Sequence, residues 1–130
     1  MLIITLRTDK PEAELGLYQN AQQLAYINWP ADRQLAETIH QRLTELLKSQ
    51  GQALTSLQGI VVFEGPGSFT GLRIGISVAN ALAYAFTIPI VACGGENWIG
   101  RGLELLKQGH NQTLALPHYG ALPNVTPPKK

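Results

Sequence analysis

Cysteine is almost missing from this chain: Cys93 stands alone among 130 residues. That excludes an intrachain disulfide and a CxxC metal framework, and it fits a reducing compartment, so a cytoplasmic location is the expectation. Charge of either sign is sparse, with ten Lys and Arg against nine Asp and Glu and a formal net charge of +1. The basic residues are scattered from Arg7 to Arg101, apart from the terminal pair Lys129 and Lys130. No stripe able to track a phosphate backbone results, so any RNA contact would be weak and shared with a partner. The three histidines, His40, His110 and His118, have no close ligand spacing, which argues against a metal site and against metallopeptidase chemistry. The N-terminal run from Met1 to Leu6 lacks a basic region and a small-residue cleavage site, so it reads as a strand and not as a signal peptide. One uncharged stretch is long: Ile74 to Gly95 covers 22 residues, the length of a membrane-spanning helix. Pro89 and the pair Gly94-Gly95 interrupt it, and Gly75, Ser77 and Asn80 dilute it. A buried helix followed by a buried strand is expected, in a soluble protein with no membrane partner.

The chain is long enough for one core and too short for two ordinary domains. It opens with three short apolar runs, Leu2 to Leu6, Glu14 to Tyr18 and Leu24 to Ile27, the last two separated by Gln19-Asn20-Ala21 turn chemistry; these predict an antiparallel meander. From Ala31 the period changes. Leu35, Ile39, Leu43, Leu46 and Leu47 recur at helical spacing with polar residues between them, Asp32 is a candidate N-cap, and Gly51 a candidate C-cap. Gly59 to Phe63 is an apolar, β-branched run of the kind buried on both faces in a parallel sheet. A glycine loop, Gly65-Pro66-Gly67-Ser68-Phe69-Thr70-Gly71, then feeds a second helix from about Thr70 to Phe86. Pro89 ends that helix, Pro89 to Ala92 form a strand, and about Asn97 to Gln108 a third helix capped by Gly109. Three strands followed by helix, strand, helix, strand, helix is the ribonuclease H-like layout shared by the actin-like ATPase (ASKHA) superfamily: an α/β single domain with a mixed five-stranded sheet and about three helices. The domain is expected over residues 1–112. Residues 113–130, with four prolines (Pro117, Pro123, Pro127 and Pro128), read as an extended tail.

The glycine loop places backbone amides at a helix N-terminus, where an anion is favoured. Yet it lacks the lysine of a Walker loop, and its glycine spacing is not that of a dinucleotide fingerprint. A tight strand-to-helix entry, with Ser68 or Thr70 capping the helix, explains the same residues. No cofactor is expected. Glu64 at the end of the strand stands alone, whereas two-metal nuclease chemistry needs clustered acids. The second helix is apolar in every angular sector, through Leu72, Ile74, Ile76, Val78, Leu82, Tyr84 and Phe86 with alanines between. It therefore needs cover on more than one side, from its own chain or from a protein partner. Cys93, at the end of an apolar strand, reads as a small buried hydrophobe.

The eleven residues from Gly65 to Gly75, followed by an Ala-rich helix and Ile88-Pro89-Ile90-Val91, resemble the signature of the TsaB (YeaZ-like) family, and the likeness extends with varying strength over about residues 1 to 108. The resemblance implies a non-catalytic scaffold that binds the catalytic paralogue TsaD, with the ATPase TsaE in the larger complex, during formation of threonylcarbamoyladenosine in tRNA; tRNA would be touched only indirectly. A homodimer through the same helices is implied as well. Two departures stand out. Relatives usually carry an Asp-Thr-Ser-type turn after the first strand, where this chain has Arg7-Thr8-Asp9, and a cation there opposes a bound magnesium ion. Relatives also have a second domain of about a hundred residues, whereas roughly twenty follow the third helix here. The ending from Pro117 to Lys130 is similar to the family's extended C-terminus, so an internal deletion with the tail kept is the expectation.

From the resemblance, the partner interface is expected on the first two helices, around His40, Leu43 and Leu47 on the first and Ile76, Asn80, Ala83 and Tyr84 on the second, where small alanines permit close approach. Arg73 would steady the loop or reach a partner carboxylate. Two other classes stay open: a stand-alone phosphate- or nucleotide-binding module, and a hydrolase using Ser68 of the loop.

Overall fold

The first three elements along the chain are strands, apolar runs separated by short connections. The computed structural model describes residues 1–31, 34–67 and 69–118. Strand β1 runs Leu2–Arg7, β2 Glu12–Gln19 and β3 Gln22–Pro30, joined as antiparallel neighbours. The last two are longer than their apolar cores suggested, since backbone pairing carries the ladder into the flanking polar residues. The turn between them is Asn20-Ala21, with Asn20 left-handed at φ 56°, a conformation asparagine tolerates.

Helix α1 spans Leu35–Ser49 and buries Leu35, Ile39, Leu43, Leu46 and Leu47, the residues that its periodicity singled out. Its N-cap is Gln34, which makes no side-chain cap bond; Asp32 lies outside the described residues. Gly51 follows the helix at φ +66° and Gly109 follows the last helix at φ +88°, the left-handed positions expected of them. Strand β4 covers Gly59–Phe63, α2 Phe69–Phe86, β5 Ile90–Cys93 and α3 Trp98–Lys107.

The sheet order is β3-β2-β1-β4-β5, with β4 parallel to β1 and β5 parallel to β4. This is the mixed five-stranded α/β sheet that the element order predicted. Alternation along β1 divides the interior in two. Leu2, Ile4 and Leu6 join α1 and α2 in the larger core, while Ile3 faces the smaller core with Val61, Phe63, Val91 and residues of α3. Helix α3 sits close on β4 because Gly102 has no side chain: a Cβ there would run into Val61. Among the described residues no helix is long and apolar enough to cross a membrane.

After α3 the chain from Asn111 to His118 has neither helix nor strand, yet it lies along the outer edge of β5. The Asn111 and Gln112 side-chain oxygens accept from Ile90 N (3.1 Å) and Ala92 N (3.1 Å), and Gln112 N donates to Ile90 O (2.8 Å). Ala115 is only 1% exposed and belongs to the larger core. The segment expected as a tail from Thr113 is thus seated on the domain as far as His118; its remainder, residues 119–130, lies outside the described residues.

Candidate functional site

The glycine loop leaves the C-terminal end of β4, and the end of β1 packs into it. Thr8, buried at 3% exposure, donates its hydroxyl to Gly71 O at 2.7 Å. Asp9 lies directly against Gly67, where a Cβ would collide with its side chain. Arg7 donates to both Asp9 oxygens, at 2.7 and 3.2 Å, and its guanidinium stacks 3.9 Å over the Phe63 ring. The hydrogen bond to Asp9 raises the Arg7 pKa above its ordinary value. On the other side, Gly65 at φ +111° meets the His118 carbonyl, and His118 N donates to Glu64 O at 2.6 Å. The glycines therefore serve close packing. The space a phosphate would need beside Gly67 holds a carboxylate, and two anions at that distance repel.

Pro66 and Gly67 are exposed, Thr70 is exposed on α2, and Gly71 uses its carbonyl on Thr8. Ser68 and the side chain of Phe69 lie outside the described residues, so the expected Ser68 cap and the Ser68 nucleophile do too. Glu64 is half-buried at the strand end, and among the described residues no group of three or more His, Cys, Asp or Glu is placed to hold a metal ion. Across the loop, Arg101 of α3 donates to Gly94 O. Burial pushes the Cys93 thiol up, which keeps it protonated and unreactive in the folded state.

The second region is the pair α1 and α2. The positions expected at a partner interface divide sharply here. Leu43 and Leu47 (each 1% exposed), Ile76 (4%) and Ala83 (5%) are buried in the chain's own core. In this chain they are core residues: the sheet takes the sector of α2 that holds Leu72, Ile76, Ala79 and Ala83, and α1 turns Leu43 and Leu47 into the same larger core. Asn80 is half-buried and engaged within the chain. Its side-chain amide donates to Ala115 O at 2.9 Å and accepts from Ala115 N at 2.8 Å, so it clips the chain's own C-terminal segment to α2. No sequence period reports such a pairing between a side chain and a backbone 35 residues away.

His40 and Tyr84 are exposed, Tyr84 at 90%. The outward sector of α2 carries Arg73, Ser77, Ala81, Tyr84 and Ala85. Between it and α1 runs an open groove of about 340 Å³ lined by Ala36, Thr70, Arg73, Ile74, Ser77 and Val78. The helix without a polar face is therefore covered on two sides by its own chain, and its third side presents small and aromatic residues with one arginine. Leu114 and Leu116, 60% and 66% exposed, flank the buried Ala115. The alternation Leu-Ala-Leu was the available signal for them.

The family model described as TsaD, tRNA N6-adenosine threonylcarbamoyltransferase, matches residues 30–93, from the end of β3 through β5. The chain is 25% identical over 116 residues to the tRNA threonylcarbamoyladenosine biosynthesis protein TsaB of Haemophilus influenzae, a match covering 89% of this chain and 49% of that protein. Among solved structures, YeaZ from Pseudomonas aeruginosa superposes with a TM-score of 0.67 at 27% identity, covering 83% of this chain and 50% of that one. Thermus thermophilus RuvC, from its complex with a Holliday junction substrate, superposes at 0.55 with 14% identity, covering 93% of this chain and 83% of that one, a likeness of fold alone. The chain spans about half the length of the curated TsaB relative it matches. Sequence and fold thus agree that the chain is a TsaB/YeaZ-like protein with a ribonuclease H-like fold.

Proposed function

We propose that this chain is a non-catalytic scaffold subunit that binds a TsaD-type transferase, with TsaE in the larger complex, during formation of threonylcarbamoyladenosine in cytoplasmic tRNA. The observation that carries this reading is the outward sector of α2. Tyr84, 90% exposed, stands one turn from exposed Ala81 and next to exposed Ala85, and half-buried Ile74 and Val78 line the groove beside Ala36. Large exposed aromatics among small residues suit the well-packed centre of an interface, with His40 and the polar positions of α1 at its rim. Helix-to-helix approach over Ser77, Ala81 and Ala85 would be close, whether the second helix comes from TsaD or from another copy of this chain.

The loop region supports the non-catalytic part of the reading. Arg7 is satisfied by Asp9 and Phe63, and Gly65 and Gly67 of the loop are closely approached by His118 and Asp9 of the chain itself. Contact with tRNA would be indirect, through the partner. The test is light scattering after size exclusion, on the chain alone and mixed with the TsaD protein of the same organism. A one-to-one complex is expected, and Ala81→Arg should abolish it while leaving the melting temperature unchanged. No complex, together with ATP binding by the chain alone, would replace this reading with that of a nucleotide-binding module.

A further inference from the structure

The two edges of the sheet are treated differently. The β5 edge is closed by Asn111, Gln112 and the segment that follows them. The β3 edge has no such cover: among the described residues no side chain, and no backbone group outside the sheet, bonds to the backbone of Gln22–Pro30. An edge strand of nine residues with free backbone groups is a template for another strand.

Pairing geometry says which groups face outward. Asn20 N donates to Met1 O at 2.8 Å and Ala31 N to Pro11 O at 3.2 Å, which marks Met1-Asn20 and Pro11-Ala31 as bonded pairs. Bonding alternates along antiparallel strands, so on β2 the even positions Glu14, Gly16 and Tyr18 bond to β1, and the odd positions Ala13, Leu15 and Leu17 bond to β3. Their partners Trp29, Ile27 and Ala25 point their amides inward. The amides and carbonyls of Tyr26 and Asn28 therefore point out of the sheet.

Of the usual guards the strand has only a bulge at Leu24, where its register with β2 shifts opposite Leu17 and Tyr18. Its sequence, QQLAYINWP, has no charged residue and no proline before its last position. Strands that avoid pairing at an edge carry lysine, an inward charge or an early proline. Leu24, Ala25 and Ile27 lie partly buried at the margin of the larger core, so a neighbouring strand would extend that core.

We infer that β3 is a strand-pairing site for a second copy of this chain, joined antiparallel about a two-fold axis near Tyr26 into one continuous ten-stranded sheet. The occupant follows from charge. In a two-fold pair each strand meets its own sequence reversed, and any charged residue near the axis would meet its like and repel it. With no charge along the strand that penalty is absent, and Tyr26 pairs with Tyr26 of the second copy while Asn28 faces the segment around Leu24.

Hydrogen exchange on the full chain across a concentration series tests this. As light scattering rises from 14.1 kDa toward twice that mass, the amides of Tyr26 and Asn28 should slow by at least tenfold, while those of Ala25 and Ile27 are slow throughout. Asn28→Pro removes an outward donor without touching a backbone bond to β2, at the loss of one exposed side-chain bond to Glu12, and it should hold the chain monomeric with unchanged circular dichroism. Ala81→Arg, which tests the helical face, should leave this dimer intact. A monomer at every concentration with fast Tyr26 and Asn28 amides overturns the inference. So does a dimer in which those amides stay fast, or one protected only by a strand of a different protein.

Discussion

At the scale of single residues, Glu14 joins two neighbouring groups into one network. It accepts from Tyr26 Oη at 2.6 Å and pairs with Lys10 at 2.7 Å. Burial alone would raise its pKa, but the hydrogen bonds from Lys10 and Tyr26 outweigh that and hold the carboxyl below its usual value. Tyr26 is displaced in the opposite sense: burial first, and then the bond to Glu14, raise its phenol well above 10. The signs are distinct. The depressed Glu14 contributes stability that is present above about pH 4.5 and lost as pH falls through its folded value. The raised Tyr26 contributes stability that is complete below about pH 10 and lost as pH climbs beyond it. Urea midpoints measured from pH 3 to 11 should therefore fall at both ends, and Tyr26→Phe should flatten both limbs, because it removes the raised phenol and with it one of the bonds that lower Glu14. Tyr18, which burial also raises, should preserve part of the alkaline limb in that variant. None of this coupling was legible in the sequence, because Glu14 and Tyr26 stand diagonally across two strands whose register fixes their contact.

At the scale of elements, legibility followed the strength of the pattern. The bounds of β4 could be read directly, since an apolar run buried on both faces is closed by glycine at one end and by the loop at the other. The buried face of α1 was equally plain, because its polar positions left one solution. Helix α2 was legible as a helix but not in its rotation. With apolar or small residues in every sector, only the packed sheet decided that Ile76 and Ala83 turn inward and Tyr84 outward. The clip between Asn80 and Ala115 lay beyond any pattern, and its energetics can be tested. Asn80→Ala removes both bonds at once and should cost roughly 1–2 kcal/mol locally, about a five- to thirtyfold gain in the open population. Limited proteolysis should then cut near Leu114 and Leu116 correspondingly faster, while the amides of α1 and β4 keep their protection against exchange.

At the scale of the whole molecule, two cores share one sheet. Trp29 reports the larger core and Trp98 the smaller, each 4% exposed. Because β1 and β4 line both, neither core can dissolve without exposing the other, and the domain should unfold as a unit. Single-tryptophan variants, Trp98→Phe and Trp29→Phe, should each show the same midpoint by fluorescence as by circular dichroism; separated midpoints would mean that the α3 side melts by itself. The position of β1 also has a consequence in time. It is made before β2 and β4 and is the central strand of the sheet, bonded to β2 on one flank and to β4 on the other. On a translating ribosome the meander is complete once Pro30 has emerged, but the second flank of β1 has no partner until Gly59–Phe63 arrives, roughly two to six seconds later at about 5–20 residues per second. Through that interval the nascent chain displays a hydrophobic strand with one unsatisfied side, the state that a ribosome-bound chaperone is built to meet.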